Sequence, residues 1–345
     1  MRPLLRNVLG IAAVIGVAVT LSACGGFKPG NAKAMQPLKQ EAVSKLAAMG
    51  SSAAAPMVIR IFKETSELEV WKATSSGGYK LFKSYEICAW SGGLGPKVKE
   101  GDRQSPEGFY TITPGLMNPN SNYYLAFNTG FPNKFDRAHG RTGSDLMVHG
   151  DCSSRGCYSM TDESIAEIYA LARETFKGGN ASFQLQIFPF RMTTKNLARH
   201  ASDPNMSFWK DIKEGYDRFE IAKAPPSWDV CGKEYVFGVP SGTTLEATNA
   251  CPAAVAEWIP AAVKSKMAAD DAAVATEVAA LAAQEAKAVA AAQKAAEAEA
   301  AAKARGEAIG SFIGGLFGGA LPAPQAPAAT PDPNAPVPAP RPDRA

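Results

Sequence analysis

The chain has 345 residues, 46% of them hydrophobic, and its 36 lysines and arginines against 33 acidic residues leave a net charge of +3. A basic excess this small excludes a partner chosen by bulk charge alone, for nucleic acid or against it. The length allows one or two domains, and composition narrows this to one folded domain followed by a biased tail.

Arg2 and Arg6 form a positive n-region, Val8 to Leu21 an apolar h-region, and Leu21-Ser22-Ala23-Cys24 puts small residues ahead of a cysteine. Residues 1–23 therefore read as an export signal with a lipobox. The pattern resembles bacterial lipoprotein signals, which implies acylation of Cys24 and anchoring without a spanning helix. An ordinary cleaved signal or an uncleaved anchor is the alternative, and in each case the body lies outside the cytoplasm. Gly25, rather than Asp, after Cys24 resembles lipoproteins sorted to the outer membrane in Gram-negative bacteria. The expected location is the periplasm, with the chain lipid-anchored.

Residues 24–55 are expected to form a tether and a short helix, with Leu38, Val43, Leu46 and Met49 at helical spacing. From Met57 the period changes. Met57–Phe62, Leu68–Ala73 and Tyr79–Trp90 are β-branched or aromatic runs separated by turn signals, which predicts an antiparallel meander. The Gly- and Pro-rich segment 91–108 precedes a short strand at Phe109–Thr113. Asn118–Thr142 reads as long, irregular and polar, and its Tyr123, Tyr124 and Phe127 suggest that it covers something functional. Leu146–His149 is a strand. Thr161 or Asp162 can cap an amphipathic helix Glu163–Phe176, Ser182–Phe188 returns to the sheet, and Met206–Phe219 is a second helix burying Phe208, Trp209, Ile212 and Tyr216. Strand character lasts through Phe237, giving a domain over residues 56–242 that is mainly β with flanking helices, α+β in class.

Residues 252–305 are Ala-rich, with scattered Glu and Lys and few large apolar residues, and are expected to form a solvated helix. Val274, Val278 and Leu281 have seam-like spacing that does not last over several heptads. Gly310–Leu321 is apolar but too short to span a bilayer, a flexible linker or a surface contact. Residues 306–345 are expected to form a Gly-rich and then Pro/Ala-rich disordered tail. Removing residues 253–345 should thus spare the chemistry.

That chemistry is expected in Leu146–Met160, LMVHGDCSSRGCYSM. A thiol attacks a carbonyl as thiolate; His149 could draw off the proton of Cys157, while the amides of Arg155, Gly156 and Cys157 could receive an oxyanion. Gly156 allows close approach. The alternatives are a structural Cys152–Cys157 disulfide, or zinc on His149, Cys152 and Cys157, for which no further CxxC or HxxxH supplies ligands. With Cys24 assigned to lipid and Cys157 to catalysis, Cys88, Cys152, Cys231 and Cys251 remain. Cys231 and Cys251 either pair around a short loop or stay free, and Cys152 either bridges to Cys88 or stays a free thiol beside the site.

The run from His149 to Asp162, HGDCSSRGCYSMTD, resembles the signature of the L,D-transpeptidase catalytic domain, the YkuD family, and more narrowly its YafK-like branch. The likeness extends through IRIFKETSELEVWK, YEICAWSGGLGPKVKEGDRQSPEGFYTI, MNPNSNYYLAFNTGFPN, GRTG and FPFRMT, over roughly Met57 to Phe237. It implies a YkuD-type β-sandwich and a periplasmic enzyme that attacks the diaminopimelate carbonyl at its L,D bond in peptidoglycan stem peptides. A thioester on Cys157 would then pass to an amine or to water. On this resemblance Cys157 is the nucleophile and His149 its base, and Ser154, Arg155 and Gly156 build the turn. Two departures stand out. Arg155 replaces the family's usual histidine before the Gly-Cys pair, and its guanidinium could hold a stem carboxylate. The base also lies only 157 − 149 = 8 positions before the nucleophile, whereas 157 − 139 = 18 makes His139 a rival with the family's longer spacing. His149 is preferred because it ends an apolar strand.

Arg137 and Arg141 are candidate carboxylate binders, although residues in such loops more often serve structure; Glu107 and Asp102 are expected to cap backbone amides. His200 reads as a surface residue, and Trp90 and Trp209 as core. Three functions follow: a transpeptidase joining stems, or stems to protein; a hydrolase releasing stem-linked protein; and, from another class, a non-catalytic wall-anchoring lipoprotein. The hydrolytic role is favoured by the YafK-like likeness. The expected partners are peptidoglycan stem peptides, a wall-linked protein and, through Cys24, the membrane, with no nucleic acid, metal or cofactor.

Overall fold

The computed structural model describes residues 29–316. The leader expected at 1–23, the lipid acceptor expected at Cys24 and the residues beyond 316 lie outside them. Two helices come first, α1 (Pro29–Ala34) and α2 (Gln40–Ala48), the second burying Ala42 and Leu46. The strands β1 (Met57–Phe62), β2 (Glu67–Ala73) and β3 (Tyr79–Glu86) then form the expected antiparallel meander. The third strand stops short of Trp90, and Ala89 instead bridges to Ser159.

Next come β4 (Gly108–Ile112), β5 (Met117–Asn118), β6 (Ala126–Asn128), α3 (Lys134–Ala138) and β7 (Met147–His149). Segment 118–142, expected to be irregular, therefore holds strand pairing and a helix closed by a reciprocal Asn133–Asp136 capping box. Strands of two or three residues are too short to show alternation in sequence, which is why they were not foreseen. The domain continues through β8 (Tyr158–Ser159), α4 (Asp162–Lys177), β9 (Phe183–Phe188), α5 (Thr194–Arg199), α6 (Met206–Ala222), β10 (Trp228–Cys231) and β11 (Glu234–Phe237), and the last described helix is α7 (Ala261–Leu316). Thr161 is the cap of α4, its side chain accepting from the Ser164 amide.

The larger sheet has the order β3-β2-β1-β9-β4, with β1 and β9 parallel and the other pairs antiparallel. A smaller sheet runs β5-β6-β7-β8, and β10 and β11 form a separate hairpin. The class is α+β, with no closed barrel among the described residues. All six residues of β1 are buried, in keeping with a run that is apolar at every position but Arg60. Ile59 and Ile61 join Val70, Ile112, Val148, Ile165 and Ile168 in one core, and Phe62 joins Phe109, Phe188, Trp209 and Ile212 in a second beneath α6. Arg60, the polar exception, lies 4.3 Å from the Phe219 ring centroid and pairs with Glu220 at 2.5 Å.

The folded body does not end at Gly242. Leu245 is buried, Cys231 is joined to Cys251, and Arg218 donates to the Trp258 carbonyl at 3.0 Å. In the first turns of α7, Val263 is 2% exposed, Val274 packs on the second core and Asp270 pairs with Lys213 at 2.5 Å. The described residues divide after Val278. Removing residues 253–345 would thus strip part of the body, and a cut sparing it lies beyond Val278. Ala-rich composition concealed this, because two valines and one aspartate suffice to dock a helix of small side chains.

The Ala-rich helix also starts later and ends later than expected. Pro260 disfavours helical backbone at the residue before it, so α7 begins at Ala261. It runs past Arg305 to Leu316 through Gly306, Gly310, Gly314 and Gly315. Each glycine costs about 1 kcal/mol relative to alanine, but extending an existing helix avoids the far larger cost of nucleation. Beyond the division the helix is exposed along its described length, with Leu281, Ile309 and Phe312 open to solvent. No helix among the described residues is long and apolar enough to cross a membrane.

Candidate active site

His149 and Cys157 reach the same face of the smaller sheet through a parallel pairing. Strands β7 and β8 are in register at Val148↔Tyr158 and His149↔Ser159. Val148 and Tyr158 point into the core, so by strand alternation His149 and Cys157 occupy the opposite face. One step back in that register sets Cys157 beside Met147, whose amide donates to the Cys157 Sγ at 3.4 Å. His149 lies two residues farther along β7, roughly 7 Å at the usual rise per residue.

The short spacing between them is a consequence of the turn. Parallel strands normally need a crossover of a dozen or more residues. Here the chain reverses within Gly150–Cys157, and it does so by left-handed backbone at Asp151 (φ 64°) and Cys152 (φ 20°) and by φ 118° at Gly156. A Cβ at Gly156 would stand 3.2 Å from the Leu146 side chain, and one at Gly150 would stand 2.5 Å from the Asp162 carboxylate. Gly150 is therefore required by close approach alone, and Gly156 by close approach and by backbone conformation. The same Asp162 carboxylate accepts from the Asp151 amide at 3.0 Å.

The Cys157 peptide is held by hydroxyls. Ser154 Oγ donates to the Cys157 carbonyl at 2.7 Å and accepts from the Gly156 amide at 3.3 Å, while Ser105 Oγ donates to the same carbonyl at 3.3 Å. Of the three amides expected to face an oxyanion, that of Gly156 is thus engaged by Ser154; those of Arg155 and Cys157 meet no protein acceptor among the described residues. Cys152 is joined to Cys88, which settles its pairing and leaves Cys157 as a free cysteine. The bridge also removes Cys152 from any zinc trio with His149 and Cys157.

Burial sets the resting protonation. It pushes the Cys157 thiol upward, against the Met147 amide, which favours the thiolate. Burial likewise lowers His149, against the carbonyl of Gly150, which favours the charged ring. Both shifts favour a neutral thiol beside a neutral imidazole over an ion pair. A carbonyl can only accept, so the contact of His149 Nδ1 with the Gly150 oxygen places the proton on Nδ1 and leaves Nε2 as the basic nitrogen. The Tyr123 ring lies over the imidazole, with centroids 4.8 Å apart. The thiol proton points toward the Asp145 carbonyl, 3.7 Å away.

A sequence profile described as the L,D-transpeptidase catalytic domain, YkuD, matches residues 58–177. The Escherichia coli K12 protein named "Putative L,D-transpeptidase YafK" is 42% identical over 226 residues, 65% of this chain and 89% of that protein, and the protein of the same name from E. coli O157:H7 matches equally. The chain belongs to the L,D-transpeptidase family. The crystal structure of the helical cell shape determining protein Pgp2 from Campylobacter jejuni aligns with a TM-score of 0.33 at 18% identity, over 59% of this chain and 85% of that one, a likeness too slight to argue from.

Within this L,D-transpeptidase domain the other candidate residues separate. His139 is the C-cap of α3, and its Nδ1 meets the Phe135 carbonyl at 3.0 Å. Arg141 is committed to structure: it is nearly buried, pairs with Asp136 at 2.9 Å and lies over Phe135 and Phe208. Arg137 is exposed and donates to the Pro132 carbonyl of its own loop. Neither arginine is joined to the Cys157 turn by a described contact. Arg155 is exposed and makes no side-chain hydrogen bond or ion pair among the described residues. His200 bonds Glu64 at 2.9 Å and stacks on Phe190. Asp102 does cap amides, those of Val98, Lys99 and Gln104, and is held at about 2 despite burial by its bond to Lys97 and these amides. Trp209 is core, whereas Trp90 is only partly buried. Ser105 went unnoticed in sequence because its hydroxyl acts on a backbone carbonyl 52 residues away, and Met147 because it acts through its own amide, which no side chain reveals; the one signal available for Ser105 was its position inside the SPEG string.

Proposed function

We propose that the protein is a cysteine acyl-transfer enzyme of the cell wall, acting on peptidoglycan stem peptides at the L,D bond after diaminopimelate. The observation that carries this reading is a free thiol and an imidazole of fixed tautomer on one face of adjacent strands, in a chain of the L,D-transpeptidase family. In the reaction, Cys157 Sγ attacks the carbonyl carbon while His149 Nε2 takes the thiol proton. The resulting oxyanion is received by the amides of Arg155 and Cys157, in the role of an oxyanion hole. The C–N bond then breaks as the imidazolium returns its proton to the leaving amine, and a thioester remains on Cys157. Water or a second amine attacks that thioester, His149 takes its proton, and the thiol is restored as the acyl group departs.

Water gives hydrolysis, releasing a stem-linked protein or amino acid; an amine gives a new cross-link. The resting neutral pair suits either acceptor, because His149 stays available as a base for the second attack. Lipidation at Cys24 would keep this chemistry in the periplasm at a membrane, the outer one in a Gram-negative cell. The decisive experiment incubates the purified protein with defined muropeptides, with and without an amine acceptor, and identifies products by mass. Wild type should change them and Cys157→Ala should abolish the change with Tm unmoved; equal activity of the variant would refute the assignment. In cells, Cys24→Ala should move the protein from the membrane to the soluble fraction, and unchanged membrane retention would exclude the lipid anchor.

A further inference from the structure

The bonds that hold the Cys157 turn lead back to a buried ion pair at the end of β1. Lys63 and Glu107 have fully buried side chains, with Nζ and Oε1 2.9 Å apart. Lys63 Nζ also donates to the carbonyls of Gly95 at 3.0 Å and Ser105 at 3.1 Å, so its three protons have three acceptors. Glu107 accepts from the Gly95 amide at 2.7 Å and from the Trp209 indole of α6 at 2.9 Å. Segment 91–107 is thereby pinned to β1 and α6 at Gly95, Ser105 and Glu107.

The same segment grips the nucleophile. The Ser105 amide donates to the Ser91 carbonyl at 3.0 Å, and its hydroxyl accepts from the Ser91 amide at 3.2 Å while donating to the Cys157 carbonyl. One residue on, the Pro106 carbonyl accepts from the Tyr158 hydroxyl at 2.7 Å. Two consecutive residues of this segment therefore meet Cys157 and Tyr158 directly. A buried ion pair is poor evidence for stability, because apolar residues of the same volume often serve as well or better. What such a pair with every bond filled does supply is a fixed geometry for the backbone groups it binds.

We propose that Ser105, backed by the buried Lys63–Glu107 pair, is a positioning residue that fixes the Cys157 peptide and so aims its amide and thiol at the reacting carbonyl. The inference rests on Cys157 being the nucleophile. It assigns to Glu107 a role beyond capping amides: its carboxylate reaches the site through Lys63 and the backbone of Ser105.

The test uses Ser105→Ala, which removes one hydroxyl and leaves the ion pair whole, beside the double variant Lys63→Met/Glu107→Leu, which replaces the pair by apolar side chains. Hydrogen exchange by mass spectrometry should show faster exchange over residues 153–158 in Ser105→Ala, and over both 91–107 and 153–158 in the double variant. With a stem-peptide substrate, kcat of Ser105→Ala should fall about ten- to a hundredfold, the scale of a small misplacement of a reacting group, with KM unchanged. Alkylation of Cys157 by iodoacetamide, which needs no oxyanion site, should keep its wild-type rate and pH profile. Wild-type exchange over 153–158 in Ser105→Ala would overturn the proposal whatever the activity, as would a parallel loss of Tm and alkylation, the mark of general loosening. If wild type itself turns over no stem peptide while exchange changes as expected, the proposed reaction fails and the positioning of the Cys157 peptide stands.

Discussion

In the larger sheet β1 pairs with β2 over six residues and with β9 over five, while in the smaller sheet no strand exceeds three residues. The larger sheet is held by long ladders and by cores on both sides of β1. Around the smaller one stand four non-glycine residues with left-handed backbone, Tyr124, Asp145, Asp151 and Cys152. Such residues cost on the order of 1–3 kcal/mol each and persist only where their surroundings over-determine them. Here the surroundings are side chains: Ser154 and Ser105 on the Cys157 carbonyl, Asp162 on the Asp151 amide and the bridge to Cys88. The contrast teaches that the scaffold is specified by burial, whereas the site is specified by individual polar contacts that add little to global stability. Substitutions should accordingly separate into those that remove turnover and those that remove the fold.

The largest expected effect is on the site. His149→Ala should lower kcat/KM on the order of a thousandfold, the range for losing a general base, with Tm nearly unchanged, while His139→Ala leaves both as they are. A large loss of Tm from His149→Ala would break the contrast between the sheets, and a loss of activity from His139→Ala would make that residue the base. Because burial lowers His149, wild-type activity should hold above the folded-state value and fall as pH drops through it, so the acid limb of kcat/KM lies below the ordinary 6.5. An acid limb above that value would place the titrating group elsewhere. On the other sheet, Leu185→Ala in β9 empties a fully buried position and should cost about 2–5 kcal/mol in denaturant unfolding, while kcat per folded molecule stays at the wild-type level. A matching fall in kcat would show that the scaffold and the site are more tightly coupled than the two sheets suggest.

Much of the larger sheet was legible in the sequence. The runs at Met57–Phe62 and Leu68–Ala73 have the length and residue types of strands, and α4 carries both its cap and its apolar stripe in local sequence. The candidate site was legible where its residues share one string: His149, Ser154, Gly156 and Cys157 lie within a single turn. Ser105 was not, since it meets Cys157 across 52 residues, whereas Tyr123 lies in the segment expected to cover something functional and its ring lies over His149. The docking of α7 was hidden for a different reason: a helix of alanines shows no stripe, and Val263, Asp270 and Val274 matter only where the body offers them partners.

The sequence by itself determined the class of the domain, the strand and helix runs with clear periodicity, the family and the candidate pair His149 and Cys157, because each is written in residues close together along the chain. Tertiary structure alone decided the pairing of Cys152 with Cys88, the commitment of Arg141 to Asp136, the burial that pushes Cys157 up and His149 down, and the extent of the body to Val278. Each of these depends on burial or on a contact between distant segments, and neither quantity exists until the chain has folded.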